Sequence, residues 1–187
     1  AGYRQGHPED VRKGEYDASA EAHVNMMDFR VGEETQSWFN DAFDLVKSFV
    51  SEGGYRIYPD QVTVPDQVAA GSRVKVASRW RNMGWGYMPN NLPQWNYKYK
   101  VAYALLDESG AARKVFVDDK CEPSTWVDSK PFSYVFETPA IDLPAGTYTW
   151  GIAIVDTTKE NVPAIELAVN NEKTADGWVK LQTVKVD

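Results

Sequence analysis

Apolar residues repeat with two different periods along the chain, and the change between them falls at Gly53 and Gly54. Between Thr35 and these glycines, the apolar positions follow the spacing of one face of an α-helix. These positions are Phe39, Ala42, Phe43, Val46, Phe49 and Val50. Paired glycines are typical of the end of a helix. This stretch therefore predicts one amphipathic helix with a single buried stripe.

From Tyr55 to the C-terminus, apolar residues alternate with polar ones, which is the period of a β-strand. About eight such runs are separated by turn residues, and no helical pattern lies between them. Trp80, Trp150 and Trp178 lie on these runs, where tryptophan is typical of a core. The sequence predicts an all-β fold, namely an antiparallel β-sandwich of about eight strands, jelly-roll or immunoglobulin-like, preceded by one amphipathic helix.

The N-terminal part of the chain does not share this alternation. Residues 1–30 are polar and predict irregular structure, with a short helical turn at residues 18–22. Residues 23–31 form a short apolar run, which indicates a strand without a neighbouring partner. We place the domain boundary after Gly53. Residues 1–53 are an N-terminal irregular segment and helix, and residues 54–187 are the β-sandwich.

Composition and charge exclude several classes of function. The chain has 187 residues, which is enough for one domain with a core of its own. Its formal net charge of -7 argues against a nucleic-acid partner and gives no reason to expect binding to an anionic membrane. No apolar run approaches the ~18 residues of a transmembrane helix. Cys121 is the single cysteine, so no internal disulfide can form.

Residue types that carry catalysis are sparse. Both histidines, His7 and His23, lie before the predicted sandwich and no metal-ligand spacing is present, so neither a zinc site nor a Ser/His/Asp triad is predicted. Carboxylates occur in turns and at strand ends: Asp107, Glu108, Asp118, Asp119, Glu122 and Asp128. Two of them across a cleft would suit glycoside hydrolysis, and the group Asp118, Asp119 and Glu122 would suit a structural calcium ion. We favour solvated turn acids, so the chain is predicted not to be an enzyme and to need no cofactor.

The main functional signal is a loop that carries large aromatic side chains. Residues 82–96, called here the aromatic loop, contain two glycines and two prolines, so they form neither a helix nor an uninterrupted strand. Tryptophan and tyrosine rings can stack on the apolar faces of sugars, while amides bond the hydroxyl groups. The candidate carbohydrate-binding residues are Trp85, Trp95, Tyr87, Trp126 from a second loop, Asn82, Asn91 and Gln94.

The same rings have a second interpretation, in which they cover the end of the sandwich or dock on a neighbouring domain. Tyr97 and Tyr99 share the alternation of the following strand, so both are predicted at the edge of the core. The functional prediction therefore depends mainly on Trp85 and Trp95.

Several short motifs occur in an order that resembles a known module. They are Gly54-Tyr55-Arg56, Val64-Pro65, Asn82-Met-Gly84, Leu106-Asp107-x-x-Gly110, Leu143-Pro-Ala-Gly146-x-Tyr148, Ile165-x-Leu167-Ala168 and Asp176-Gly-Trp178. In this order they resemble the C-terminal β-sandwich domain of bacterial proteins of the DUF4832 type. Those proteins are similar to glycoside hydrolases, with a (β/α)8 barrel ahead of the sandwich. The resemblance implies that residues 21–53 are the end of such a barrel, with its last strand near residues 23–29 and then its final helix.

The residues and the resemblance together predict a non-catalytic carbohydrate-binding module of a polysaccharide-degrading enzyme. It would be secreted by a bacterium and would bind a plant-type polysaccharide through the aromatic loop. Its partners would be the polysaccharide and an upstream catalytic domain in the same polypeptide. The alternative is a structural accessory β-sandwich that packs against a glycoside hydrolase barrel without binding sugar itself.

Overall fold

The computed structural model of the chain describes residues 9–29 and 31–187. Three helices precede the strands in this part: α1 (Glu9–Glu21), α2 (Glu33–Asp41) and α3 (Phe43–Glu52). The prediction of a single helix is therefore wrong, because α1 occupies residues predicted to be irregular and the later helix is broken in two. The described residues of the run 23–31 contain no strand, so the strand predicted there as the end of a barrel is also wrong.

The break between α2 and α3 falls at Ala42, whose φ of -141° and ψ of 33° are not helical. Asn40 and Asp41, which precede it, are weak helix formers. The break divides the predicted stripe between two helices that cannot bury it along one line. A small core remains, made of Trp38, Ala42 and Val46. Three other positions of the stripe are exposed: Phe39, Phe43 and Val50.

Nine strands follow the helices. They are β1 (Ile57–Thr63), β2 (Gln67–Val68), β3 (Lys75–Asn82), β4 (Tyr99–Leu106), β5 (Ala112–Asp118), β6 (Phe132–Glu137), β7 (Gly146–Asp156), β8 (Val162–Ile165) and β9 (Val179–Val186). The prediction of an antiparallel, sandwich-like all-β fold is confirmed, and its strand count differs by the two-residue β2.

The strands form two sheets. The smaller sheet has the order β1-β3-β6, and the larger has the order β2-β9-β7-β4-β5, with β8 also paired to β7. β4 pairs with one side of β7, from Leu106 opposite Thr149 to Tyr99 opposite Asp156. β9 and β8 pair one after the other with the opposite side of β7. All pairs are antiparallel except β2 with β9, which is parallel.

The core lies between the two sheets and contains a hydrogen-bonded aromatic centre. The rings of Tyr103 on β4 and Phe136 on β6 are stacked across the sheets, with centroids 6.1 Å apart. Tyr103 Oη and Trp80 Nε1 both donate to Ser78 Oγ at 2.8 Å. Because this hydroxyl accepts both donors, neither buried ring leaves a polar atom unpaired. Trp80 and Trp150 are fully buried, as the alternation predicts.

The outer face of the larger sheet is also buried at β4 and β7. Ala102, Ala104 and Leu106 on β4 form a second cluster with Trp178, which lies just before β9. Trp178 is only 2 % exposed, so its predicted structural role is confirmed. β4 is therefore buried on both faces.

The division of the chain into two domains at residue 53 stays a prediction. Within the described ranges, the helices are too short and too polar for any of them to span a membrane.

Candidate functional site

The aromatic loop connects β3 to β4 and consists of a base, residues 82–88, and a tip, residues 89–96. The base runs beside the segment that joins α3 to β1. Backbone hydrogen bonds link Met83 N to Arg56 O at 2.9 Å, Trp85 N to Glu52 O at 2.9 Å and Gly86 N to Gly54 O at 2.7 Å. The loop base is therefore bonded both to the end of α3 and to the segment that leads into β1.

Two glycines allow this close approach. A Cβ atom at Gly84 would lie 2.0 Å from the carbonyl oxygen of Gly54, and one at Gly86 would lie 2.2 Å from Asn25 Oδ1. Any other residue would push the two segments apart. The glycines that mark the loop in the sequence are thus required by contact with residues 25 and 54.

Trp85 lies between two helices. Its ring meets Tyr16 of α1 edge-on at 5.0 Å between centroids, and Phe49 of α3 at 5.6 Å. Its Nε1 donates to the carbonyl oxygen of Val24 at 3.0 Å. Aromatic pairs at these distances are each worth about 0.5–1.5 kcal/mol beyond the area that they bury. The geometry of Trp85 fits the docking alternative, since its ring is covered by residues of the N-terminal segment.

Two polar side chains of the segment after α1 bond to the loop base. His23 Nδ1 lies 2.7 Å from the carbonyl oxygen of Trp85, so this nitrogen must carry the proton. Its Nε2 lies 3.7 Å from Asp128 Oδ1, in the neighbouring loop. Asn25 Nδ2 donates to the carbonyl oxygen of Tyr87 at 2.9 Å. These contacts could not be predicted from the sequence, because His23 and Asn25 are far from the loop along the chain.

Asn82 does not have a hydrogen-bonding atom left for a sugar. Its side chain is fully buried. Its Oδ1 accepts from the backbone nitrogens of Arg56 at 2.8 Å and Gly84 at 3.1 Å. Its Nδ2 donates to the carbonyl oxygens of Gly86 at 2.6 Å and Trp126 at 3.0 Å. The assignment of Asn82 to a sugar site disagrees with this geometry, because the amide cross-links three backbone segments instead.

Trp126 is likewise enclosed. It is 0 % exposed, and its ring stacks on Trp80 with centroids 5.0 Å apart and planes at 17°. Its Nε1 donates to Tyr134 Oη at 2.8 Å. No face of this ring is open to a ligand, so the prediction that Trp126 extends a binding platform is corrected to a core position.

Asn90, which is fully buried, anchors the loop tip to the start of β4 and to Glu122. Its Oδ1 accepts from Tyr99 N at 3.0 Å, and its Nδ2 donates to Tyr99 O at 2.9 Å and to Glu122 Oε1 at 3.0 Å. Trp95 is half-buried and meets Tyr99 edge-on at 5.2 Å. Asn91 and Gln94 are exposed, and Tyr87 in the base is partly exposed.

Tyr97, which directly follows the tip, is 50 % exposed. Its predicted position at the core edge is wrong, because β4 begins only at Tyr99. The φ angles of Asn96 and Tyr97 are 44° and 58°, in the left-handed region that a bulky residue rarely adopts. This turn takes Tyr97 out of the alternation and directs its ring away from the core. Strained backbone of this kind is frequent at functional sites.

Glu122 supports the tip electrostatically. Burial raises the pKa of its carboxyl, but hydrogen bonds from Ser124, Asn90 and Lys100 outweigh that effect, so its pKa lies below its ordinary value. Lys100 Nζ is 3.1 Å from Glu122 Oε2. The carboxylate is thus engaged in holding Asn90 and Lys100 together.

Two of the other candidate carboxylates, Asp118 and Asp107, are bonded within the chain. Asp118 Oδ2 accepts from Cys121 Sγ at 3.3 Å, and burial raises the pKa of that thiol. Asp107 accepts from Arg113 Nε at 2.6 Å. Among the described residues, no group of three or more His, Cys, Asp or Glu side chains is arranged to hold a metal ion. Asp118, Asp119 and Glu122 therefore do not form such a group.

Comparisons with known proteins give no family. No family model matches the chain, and no curated protein matches it significantly. One similar structure is the CARDB domain of a Pyrococcus furiosus protein in complex with di-metal ions, with 14% identity and a TM-score of 0.38 over 71% of this chain and 89% of that one. Another is the Pseudomonas fluorescens alkylpurine DNA glycosylase AlkC, bound to DNA containing an abasic site analog. Its identity is 13% and its TM-score 0.41, over 95% of this chain and 44% of that one.

Similarities this weak carry no argument about this chain. Its description as a β-domain rests on its own strand pairing. The comparisons contain nothing about the DUF4832 type or glycoside hydrolases, so that resemblance stays a prediction.

Proposed function

We propose that this chain is a non-catalytic accessory β-sandwich of a larger secreted bacterial protein, attached to a neighbouring catalytic domain through its N-terminal helices. The observation that carries the proposal is the position of Trp85, whose ring is held between Tyr16 and Phe49. The helical segment, residues 9–53, is thereby fixed to one end of the sandwich. A fixed segment can set the orientation of whatever lies beyond it.

The polar contacts of the loop base support this role. His23 and Asn25 both bond to backbone carbonyls of the loop, at Trp85 and Tyr87. Such bonds require one relative position of the two segments. The non-catalytic part of the proposal is favoured by the candidate carboxylates, since Asp107, Asp118 and Glu122 are each engaged with other groups of the chain. The neighbouring domain would be the glycoside-hydrolase-like barrel that the sequence resemblance implies.

Replacing Trp85 with alanine is expected to release the helical segment while the sandwich stays folded. The change removes two aromatic contacts and the bond to Val24 O, a loss of about 2–3 kcal/mol for a half-buried ring. We expect thermolysin to cut residues 9–53 at least ten-fold faster than in the parent, measured by mass spectrometry of the fragments.

Trp95→Ala is the matched control, because it removes the same residue type from the same loop without touching the helices. It should leave cleavage of residues 9–53 unchanged. Equal acceleration in both variants would mean that the loop only stabilises the sandwich. The proposed attachment of the helical segment through Trp85 would then be wrong.

A second candidate function is carbohydrate binding at the loop tip. Trp95 in the tip and Tyr97 directly after it have partly open rings, and the tip also exposes the amides of Asn91 and Gln94. Asn90 anchors this part of the loop to Tyr99. A rigid aromatic surface loses little conformational entropy when a ligand binds. Trp85 would then attach the helical segment to the sandwich, and sugar binding would be limited to the tip and Tyr97.

Calorimetry with oligosaccharides of cellulose, xylan, mannan and β-glucan tests this second function. We expect one of them to bind, and Trp95→Ala or Tyr97→Ala to weaken binding about ten-fold, which corresponds to ~1.4 kcal/mol for a lost ring contact. Val135→Ala, at an exposed position on β6, should bind like the parent. Absence of binding in the parent, or equal affinity in all variants, would exclude a sugar site at the tip.

A further inference from the structure

The helical segment exposes an unusual amount of apolar surface. It holds five of the ten exposed large hydrophobic side chains of the described chain, although it contains only about a quarter of the residues. They are Met26, Val31, Phe39, Phe43 and Val50, with exposed fractions from 46% to 86%. Single exposed apolar residues are ordinary, but adjacent ones mark an interaction surface.

Three of these exposed residues are grouped here as the phenylalanine strip: Phe39, Phe43 and Val50. The rings of Phe39 and Phe43 are 5.8 Å apart. Phe43 and Val50 are seven residues apart within α3, so their side chains project from the same face of the helix. The strip thus consists of the Phe39–Phe43 ring pair at the break between the two helices and of Val50, two turns further along α3.

The strip has a rigid support. Phe29 contacts Phe39 at 6.2 Å and Phe49 at 6.3 Å, and Phe49 in turn contacts Trp85. A chain of ring contacts therefore connects the strip to the aromatic loop and the sandwich. Because the surface is already ordered, a partner would not have to supply the entropy cost of forming it.

Charge defines the kind of partner that fits. Residues 9–53 contain eleven acidic and four basic side chains, a difference that equals the formal net charge of -7 of the whole chain. The acidic excess is thus concentrated in the helical segment. At the strip itself, Asp44 is 93% exposed and pairs with Lys47, whose Nζ lies 5.3 Å from the ring centre of Phe43. An apolar strip on an acidic segment favours an apolar partner with basic flanks and disfavours a second copy of this chain.

We infer that the phenylalanine strip binds a basic amphipathic helix of the neighbouring domain. The inference rests on the proposed function only in taking the helical segment as the attachment side. A helix fits because Phe43 and Val50 lie two turns apart on one face of α3, a spacing that the side chains of a second helix can match. Lysine or arginine at the flanks of that helix would face the acidic residues of the segment.

The test uses a fluorescein-labelled synthetic helix of about four turns, made of leucine and lysine with the leucines on one face. Fluorescence anisotropy would measure its affinity for the full chain. We expect Phe39→Ser with Phe43→Ser to weaken binding at least ten-fold. The matched control, Val135→Ser with Val162→Ser, changes two exposed apolar residues of the sandwich and should bind like the parent.

Two further peptides separate the contribution of the peptide's charge from that of its apolar helical face. The same leucine pattern with glutamate in place of lysine should bind at least ten-fold more weakly, and a scrambled leucine/lysine peptide should also lose affinity. If the double serine variant does not fold, Val50→Ser is expected to weaken binding several-fold, since Val50 is 69% exposed. The inference is overturned if serine at the strip changes nothing, if the glutamate peptide binds equally well, or if sedimentation shows that the strip joins two copies of the chain.

The two proposals can fail separately. Weak peptide binding together with release of the helices in Trp85→Ala would overturn only the strip. Tight, strip-dependent binding together with unchanged proteolysis in Trp85→Ala would overturn only the proposed attachment through Trp85.

Discussion

Replacing Trp126 with alanine is expected to lower the free energy of unfolding by about 3–5 kcal/mol, the range for deleting a fully buried aromatic ring. The ring has no exposed surface, stacks on Trp80 and donates to Tyr134. Its loss leaves a cavity in the core and removes one hydrogen bond from the Tyr134 hydroxyl. Urea unfolding followed by circular dichroism measures the change.

Trp126→Phe is the informative companion variant. It keeps an aromatic ring against Trp80 but removes the N–H group, so a smaller loss of about 1–3 kcal/mol is expected from the lost hydrogen bond to Tyr134 and the lost volume. If Trp126→Ala instead unfolded like the parent and lost only glycan binding, the ring would be a ligand contact and its placement in the core would be wrong.

The sandwich could be predicted from the sequence because its strands carry their own signal. β4 and β7 show a clear period of two, and that period arises from burial of alternate side chains against the other sheet. β2 escaped prediction, since two residues are too few to show a period. The burial of both faces of β4 could be predicted only in part, because the outer cover comes from Trp178, which is distant along the chain.

The candidate site could be located from the sequence but not resolved into its parts. Trp85 and Trp95 have the same residue type and similar neighbours in the aromatic loop. One is covered by Tyr16 and Phe49 and the other meets Tyr99, and these partners are set by tertiary packing. The same holds for Asn82, whose amide is as suitable for backbone cross-linking as for sugar hydroxyls.

The helical segment shows a further limit. Six apolar positions at helical spacing predict one buried stripe, yet the non-helical backbone at Ala42 divides it. Periodicity reports which residues could share a face, whereas exposure depends on what lies opposite. The exposed Phe39, Phe43 and Val50 are consistent with a partner outside this chain, which is the basis of the inference about the strip.

The second large effect is expected at Gly84, where alanine should lower the free energy of unfolding by about 3 kcal/mol or more, above the usual range for overpacking. Its Cβ would lie 2.0 Å from Gly54 O, 2.8 Å from Gly54 C and 3.2 Å from Tyr55 Cα. All three are backbone atoms, so no side chain can rotate away, and the loop base must separate from the segment that enters β1. For a chain of this length we expect the Tm to fall by roughly 6–12 °C in calorimetry.

Gly14→Ala is the matched control, because no atom lies within 4 Å of the added Cβ and the residue is inside α1. Alanine favours a helix over glycine, so this variant should gain about 0.5–1 kcal/mol wherever α1 unfolds together with the sandwich. Opposite signs at the two glycines would show that the loss at Gly84 comes from the crossing of two backbone segments. A Tm for Gly84→Ala equal to that of the parent would contradict the close approach of the loop base to Gly54.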